Sequence, residues 1–228
     1  MKVNSLTSTA SHLILNRPTI PVRGGEGREA PKTIGETPPI LVDPSTLGNL
    51  AIAFGPTGLI TRLKKRLNYL RRKKCRVVPA KGTTACVDDN DVVYLGVDFV
   101  ANYLDEAETI AGVMAHEWGH ACALKPRKDD LQKLSWDHIF ALRRAHETLA
   151  DEISGRLLCI MGYTPNGLIK FLTRGGKTHN LKYHNPEIRA RVVQYGFECE
   201  KRKAALSRKL FYKSFYPNQY SSILLDIV

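Results

Sequence analysis

Residues 109–120 read T-I-A-G-V-M-A-H-E-W-G-H, from Thr109 to His120. Ile110, Met114 and Trp118 recur at i, i+4 and i+8, so one face of a helix is apolar, while His116 and His120 fall roughly 160 to 200° around from Met114. A helix that packs its stripe inward therefore turns two imidazoles, one turn apart, toward a different face. Imidazoles at that spacing can both reach one zinc ion at about 2.0 to 2.1 Å. Glu117 follows the first histidine directly, between the two candidate ligands.

A catalytic zinc needs a third protein ligand and an open fourth position. Residues 145–158, A-H-E-T-L-A-D-E-I-S-G-R-L-L, supply a match. Their pattern predicts a second long helix that begins between Asp129 and Ser135, buries Leu142, Leu149, Ile153, Leu157 and Ile160, and stops at Gly162 with Pro165 just beyond. Glu147 and Asp151 lie one turn apart and away from that stripe. Glu147 is the candidate third ligand, and Asp151 is placed to accept a hydrogen bond from the far nitrogen of a ligating histidine. Gly155 offers room for close helix approach. One turn cannot point both His146 and Glu147 at the same metal, so His146 reads as a partly buried neighbour, and His138 as a packing residue.

The flanking sequence sets these helices in an α+β frame. C-R-V-V-P-A (75–80) and D-V-V-Y-L-G-V (91–97) read as strands of a small sheet, bounded by K-G-T-T and D-D-N-D turns. D-E-A-E from Asp105 places an N-cap at Asp105 and a capping-box glutamate at Glu108. Leu59, Leu63, Leu67 and Leu70, with arginines and lysines between them, predict a basic amphipathic helix over 57–74 that opens a domain spanning 48–228. G-L-I-K-F-L (167–172) and P-E-I-R-A-R-V-V-Q-Y (186–195) suggest two or three more short helices. Residues 1–47 hold six of the twelve prolines and a G-G-E-G run, and read as a flexible arm.

The 228 residues carry a net charge of +12, unevenly spread. Residues 44–87 hold ten lysines or arginines and no acid, residues 82–124 hold eight acids and no base, and residues 171–213 hold eleven bases against three acids. The H-E-W-G-H region is thus an acidic block between basic ones, and the basic segments suit an anionic partner, either a membrane surface or a nucleic acid. No segment approaches the ~20 apolar residues of a membrane span. The five cysteines are scattered without a C-x-x-C pair, which points to free thiols in a reducing, cytoplasmic setting, with Cys122 and Cys159 in the core.

From Thr57 to Tyr195 the chain resembles the gluzincin zinc peptidases, most closely the group of HtpX heat-shock proteases, CAAX prenyl proteases and small soluble minigluzincins. H-E-W-G-H, E-T-L-A-D, G-Y-T-P-N-G-L-I-K-F-L and H-N-P-E-I-R carry the resemblance. It implies a zincin-like α+β fold, with a small N-terminal sheet, an active-site helix, a long helix bearing the third ligand and a mostly helical C-terminal part. It further implies a zinc endopeptidase acting on protein or peptide substrates, with ligands His116, His120 and Glu147, general base Glu117 and supporting Asp151. By the same resemblance Arg189 pairs with an active-site acid and His184 stabilises the oxyanion, with His179 and Tyr183 competing for that role. The family's Asn-Ala-Phe edge-strand motif is absent. T-T-A-C-V-D-D stands in its place, making Ala85, Cys86 and Val87 the candidate strand for substrate addition. Two other classes share features of this pattern: a DNA-associated or regulatory zinc protease of the SprT or ImmA type, and a non-catalytic zinc-fold protein that binds through its basic helices.

Overall fold

The structure, a computed structural model, describes residues 39–123, 134–174 and 183–215, with side chains through 208. It is α+β, with a small mixed sheet and a mostly helical remainder. In chain order the elements are β1 (Ile40–Leu41), α1 (Leu59–Arg71), β2 (Arg76–Lys81), β3 (Ala85–Val87), β4 (Val92–Gly96), α2 (Val97–Tyr103), α3 (Ala107–Cys122), α4 (Trp136–Met161), α5 (Asn166–Thr173) and α6 (Pro186–Phe215), with short helical turns between β1 and α1.

The sheet order is β1-β2-β4-β3. β4, the most apolar strand, sits inside it, parallel to β2 (Val77 opposite Val93) and antiparallel to β3 (Cys86 opposite Tyr94). The turn after β2 therefore does not make a hairpin. It carries the chain to the far side of β4 and leaves β3 at the edge. β1 forms the other edge through Ile40 opposite Lys81, so the described structure begins inside the arm expected through residue 47. Pairing to β2 fixes those last residues despite their lack of any strand period. Residues 1–38 lie outside the described residues.

α1 buries Leu63 and Leu67, as its leucine spacing predicts, together with Ile60, while Leu59 and Leu70 are only partly buried. Asn68 ties it to the histidine helix: its Oδ1 accepts from the Trp118 indole Nε1 and from the Cys75 backbone N–H, both at 3.0 Å. α3 is buried almost all round, with Ile110, Met114 and Trp118 fully enclosed. Its cap differs from the expected one. Glu106, not Asp105, is the N-cap, and Glu108 instead accepts from the N–H and hydroxyl of Thr164, which staples the start of α3 to the turn before α5.

α4 starts at N-cap Ser135 and ends at Gly162, whose φ of 83° lets Tyr163 N–H reach back to Leu158 and Gly162 N–H to Cys159. Its buried face keeps only part of the predicted stripe: Leu157 is buried and Ile153 packs against the core. Leu149 and Ile160 are 41% and 42% exposed, while Ile139, Glu147, Ala150, Asp151, Ser154 and Leu158 are buried. The helix packs between α3 and α6, and small residues there set the distances. A Cβ on Gly119 would lie 2.7 Å from Ala150 Cα, so α3 and α4 nearly touch backbones. Gly155 provides the expected close helix approach, and its partner is α6: a Cβ on it would lie 2.0 Å from Val193 O, and one on Gly196 would lie 2.1 Å from Glu152 O.

Among the described residues, the C-terminal part is one short helix and one much longer than expected. Asn185 Oδ1 accepts from Glu187 N–H, with Pro186 in the first turn, and α6 then runs unbroken through 215. The core cysteine is Cys75, 2% exposed, whereas Cys122 and Cys159 are only partly covered. Among the described residues, no helix is long and apolar enough to cross a membrane.

Candidate metal centre

α3 and α4 cross where Gly119 meets Ala150, which brings His116 and His120 opposite Glu147. The two Nε2 atoms are 3.0 Å apart, His116 Nε2 is 3.3 Å from Glu147 Oε2, and His120 Nε2 is 3.4 Å from Glu147 Oε1. A regular tetrahedron with vertices about 2.0 to 2.1 Å from its centre has edges of roughly 3.3 to 3.4 Å, so the three donors stand close to the spacing a zinc ion requires. The donor set of two imidazoles and a carboxylate suits zinc as well. The two imidazole nitrogens, 3.0 Å apart, satisfy each other when one carries a proton, and with both deprotonated they offer two lone pairs to one cation.

The surroundings hold these groups in place. Asp151, fully buried, sets Oδ1 2.9 Å from His116 Nδ1, which fixes the ring so that Nε2 faces His120 and Glu147. Arg189 donates through Nε to Asp151 Oδ2 at 2.8 Å and through Nη2 to Oδ1 at 2.9 Å, and its Nη2 is also 3.4 Å from Glu147 Oε2. Arg143 Nη2 lies 3.1 Å from Glu147 Oε1 and donates to the Tyr183 hydroxyl at 3.2 Å. Both guanidinium groups sit over the Tyr183 ring, at 5.5 and 5.3 Å from its centroid.

Three buried carboxylates, on Glu117, Glu147 and Asp151, thus face two guanidinium groups. Buried charges are tolerated when paired, and with both imidazoles neutral and Glu117 ionised these groups leave one negative charge for a bound cation. Burial works to raise the carboxyls of Glu147 and Asp151, but the opposed histidines and arginines outweigh it, and both are held below the usual carboxylate range, Glu147 well below. Burial likewise works to lower His116, yet Asp151 and Glu147 prevail and hold it up at about 10. Glu117 differs: burial dominates and pushes its carboxyl up, as befits a group with a task other than charge pairing.

The cluster opens into a cleft of about 250 Å³. One wall is apolar, from Val113, Leu168, Phe171 and Leu172, and the opposite side is strand β3. Gly96 N–H bonds to Thr84 O at 2.8 Å and Asp88 N–H to Val92 O at 3.0 Å. By the alternation of an antiparallel pair, Thr84, Cys86 and Asp88 turn their backbone groups toward β4, and Ala85 and Val87 turn theirs to the outer edge. Ala85, Cys86 and Val87 all line the cleft.

The structure thus gathers His116, Glu117, His120, Glu147, Asp151, Arg189 and the 85–87 strand at one place. His184 is not among the described residues that line the cleft, but its neighbour Tyr183 is; His179 lies outside the described residues. His146 is half-buried and off the cluster. His138 is exposed and sits in the α4 cap, its Nδ1 2.7 Å from Ser135 Oγ, rather than packing. Arg143 is the member that sequence reasoning passed over. Its signal was present, since residues 143, 147 and 151 recur at i, i+4 and i+8, but the neighbouring Leu142 drew that turn into the leucine stripe. Compared with protein-family models, with curated proteins and with solved structures, the chain finds no match in any of the three.

Proposed function

We propose that this protein is a zinc-dependent endopeptidase of the gluzincin type, with a zincin-like arrangement of sheet and site helices. The observation that carries this reading is the spacing of His116 Nε2, His120 Nε2 and the Glu147 carboxylate, with Glu117 beside them at the cleft. A zinc ion held by those three residues would polarise a substrate carbonyl and make water acidic enough to ionise near neutral pH.

The chain's own groups supply the rest. Glu117, whose burial pushes its carboxyl up and so makes its carboxylate a stronger base, is suited to take a proton from the attacking water and return it to the leaving amine. Tyr183, with its hydroxyl against Arg143, is better placed than His184 to donate to the oxygen that gains charge. An extended peptide would add to β3 through the outward backbone groups of Ala85 and Val87, with an apolar side chain against Leu168 and Phe171.

The test is metal content by mass spectrometry on wild type, Glu147→Ala and Glu117→Gln, with casein turnover recorded alongside. One zinc per chain is expected in wild type and Glu117→Gln, with depletion in Glu147→Ala. Turnover should be chelator-sensitive in wild type and fall by roughly 10²- to 10⁴-fold in Glu117→Gln. A wild type without metal, or full turnover in Glu117→Gln, would overturn the proposal.

A further inference from the structure

We propose that the outward face of α1 binds single-stranded nucleic acid, independently of the metal centre. α1 spends its apolar side on the core, and the opposite side carries Arg62, Lys65, Arg66 and Tyr69 at i, i+3, i+4 and i+7, within an arc of roughly 100°. All four are exposed, Tyr69 at 77%, and exposed Arg72 follows at the C-cap. Residues 44–87 contain no acid, and among the described residues none of these cations is ion-paired; Arg62 donates to the backbone oxygen of Thr57. Neighbouring Lys73, by contrast, reaches across to Asp91. Like charges at helical spacing repel, so the stripe is held together against its own charge and complements a polyanion.

The side chains favour a nucleic acid over a bilayer. A membrane takes an amphipathic helix by its apolar face, and here that face is inside the protein. The stripe offers one ring among cations instead of a row of apolar groups. Guanidinium and ammonium groups can take successive phosphates while the Tyr69 ring stacks on a base. Bases stacked within a duplex are closed to such a ring, which selects single strands. Because α1 meets α3 through its buried side, the stripe faces away from the histidines, and an occupant would leave the cleft accessible.

Fluorescence anisotropy with the full chain tests this, using labelled oligo-dT, oligo-U and a duplex of the same length over a salt series, with sedimentation on phosphatidylcholine vesicles with and without phosphatidylglycerol. Single strands should bind more tightly than duplex, with affinity falling steeply as salt rises. Arg62→Gln/Lys65→Gln/Arg66→Gln should reduce the salt slope by about 2, because each lost phosphate contact removes about 0.7. Tyr69→Ala should weaken single-strand binding by about tenfold, and Tyr69→Phe should restore it. All these positions are exposed, so the variants should stay folded, with melting temperatures at or slightly above the wild-type value, which separates lost binding from lost fold. Absence of nucleic-acid binding, affinity and slope unchanged in the variants, or binding to anionic vesicles alone would overturn the proposal.

Discussion

Arg189 grips Asp151 with two nitrogens, at 2.8 and 2.9 Å, while the same carboxylate faces His116 Nδ1 at 2.9 Å. Asp151→Asn keeps the volume but loses the charge that both partners need. Metal retention against a competing chelator should weaken by about 10- to 100-fold, the range for groups that orient a ligand. Retention equal to wild type would show that Asp151 does not set the ring.

The outward backbone of β3 gives a contrast between adjacent residues. Ala85 turns its N–H to the open edge, and Cys86 turns its N–H into the ladder. Ala85→Pro should therefore lower kcat/KM on extended peptides while leaving the melting temperature close to wild type, and Cys86→Pro should lower the melting temperature itself. Equal thermal losses in the two variants would contradict the assigned register.

Two glycines separate stability from metal binding. A methyl group at Gly155 would press on Val193 O, and one at Gly119 on Ala150 Cα. Gly155→Ala should destabilise by about 1 to 3 kcal/mol, seen as a fall of roughly 2 to 4 °C in melting temperature for each kcal/mol. Gly119→Ala should do the same and also lose metal, because it wedges the helix of His116 and His120 away from that of Glu147.

Cysteine reactivity supplies a pH test. Cys75 is buried, and burial, aided by Asp91, pushes its thiol up to about 11. The folded protein should therefore leave Cys75 unalkylated by iodoacetamide at pH 8, where the partly exposed Cys86 reacts, and Cys75 thiolate should form only as the pH nears 11. Peptide mapping that finds Cys75 modified early would contradict its enclosure.

The sequence made the helices and the central cluster legible because their information is periodic. H-E-W-G-H and E-T-L-A-D carry their side chains at one-turn spacing, and a single turn suffices to place them together. The α4 stripe is only partly legible, because an apolar period marks Leu157 but not the charged residues that pairing buries. Glu147 and Asp151 are buried through their pairing with Arg143, Arg189 and His116, and Leu149 is left outside. Pairings at a distance left no local mark: Glu108 caps Thr164 from another part of the chain, and Ile40 gains strand geometry only from Lys81. Tyr183 lines the cleft and His184 does not, because which of two neighbouring side chains faces inward leaves no periodic mark.

The charge balance of the cluster also sets an order of assembly. Asp151 is fully buried and takes its guanidinium partner from residue 189. A chain leaving the ribosome, whose earlier parts fold first, therefore holds the acid, with only His116 beside it, before the guanidinium that grips it. Docking of α6 completes the centre, so a nascent chain lacks a finished site until most of its length has been made.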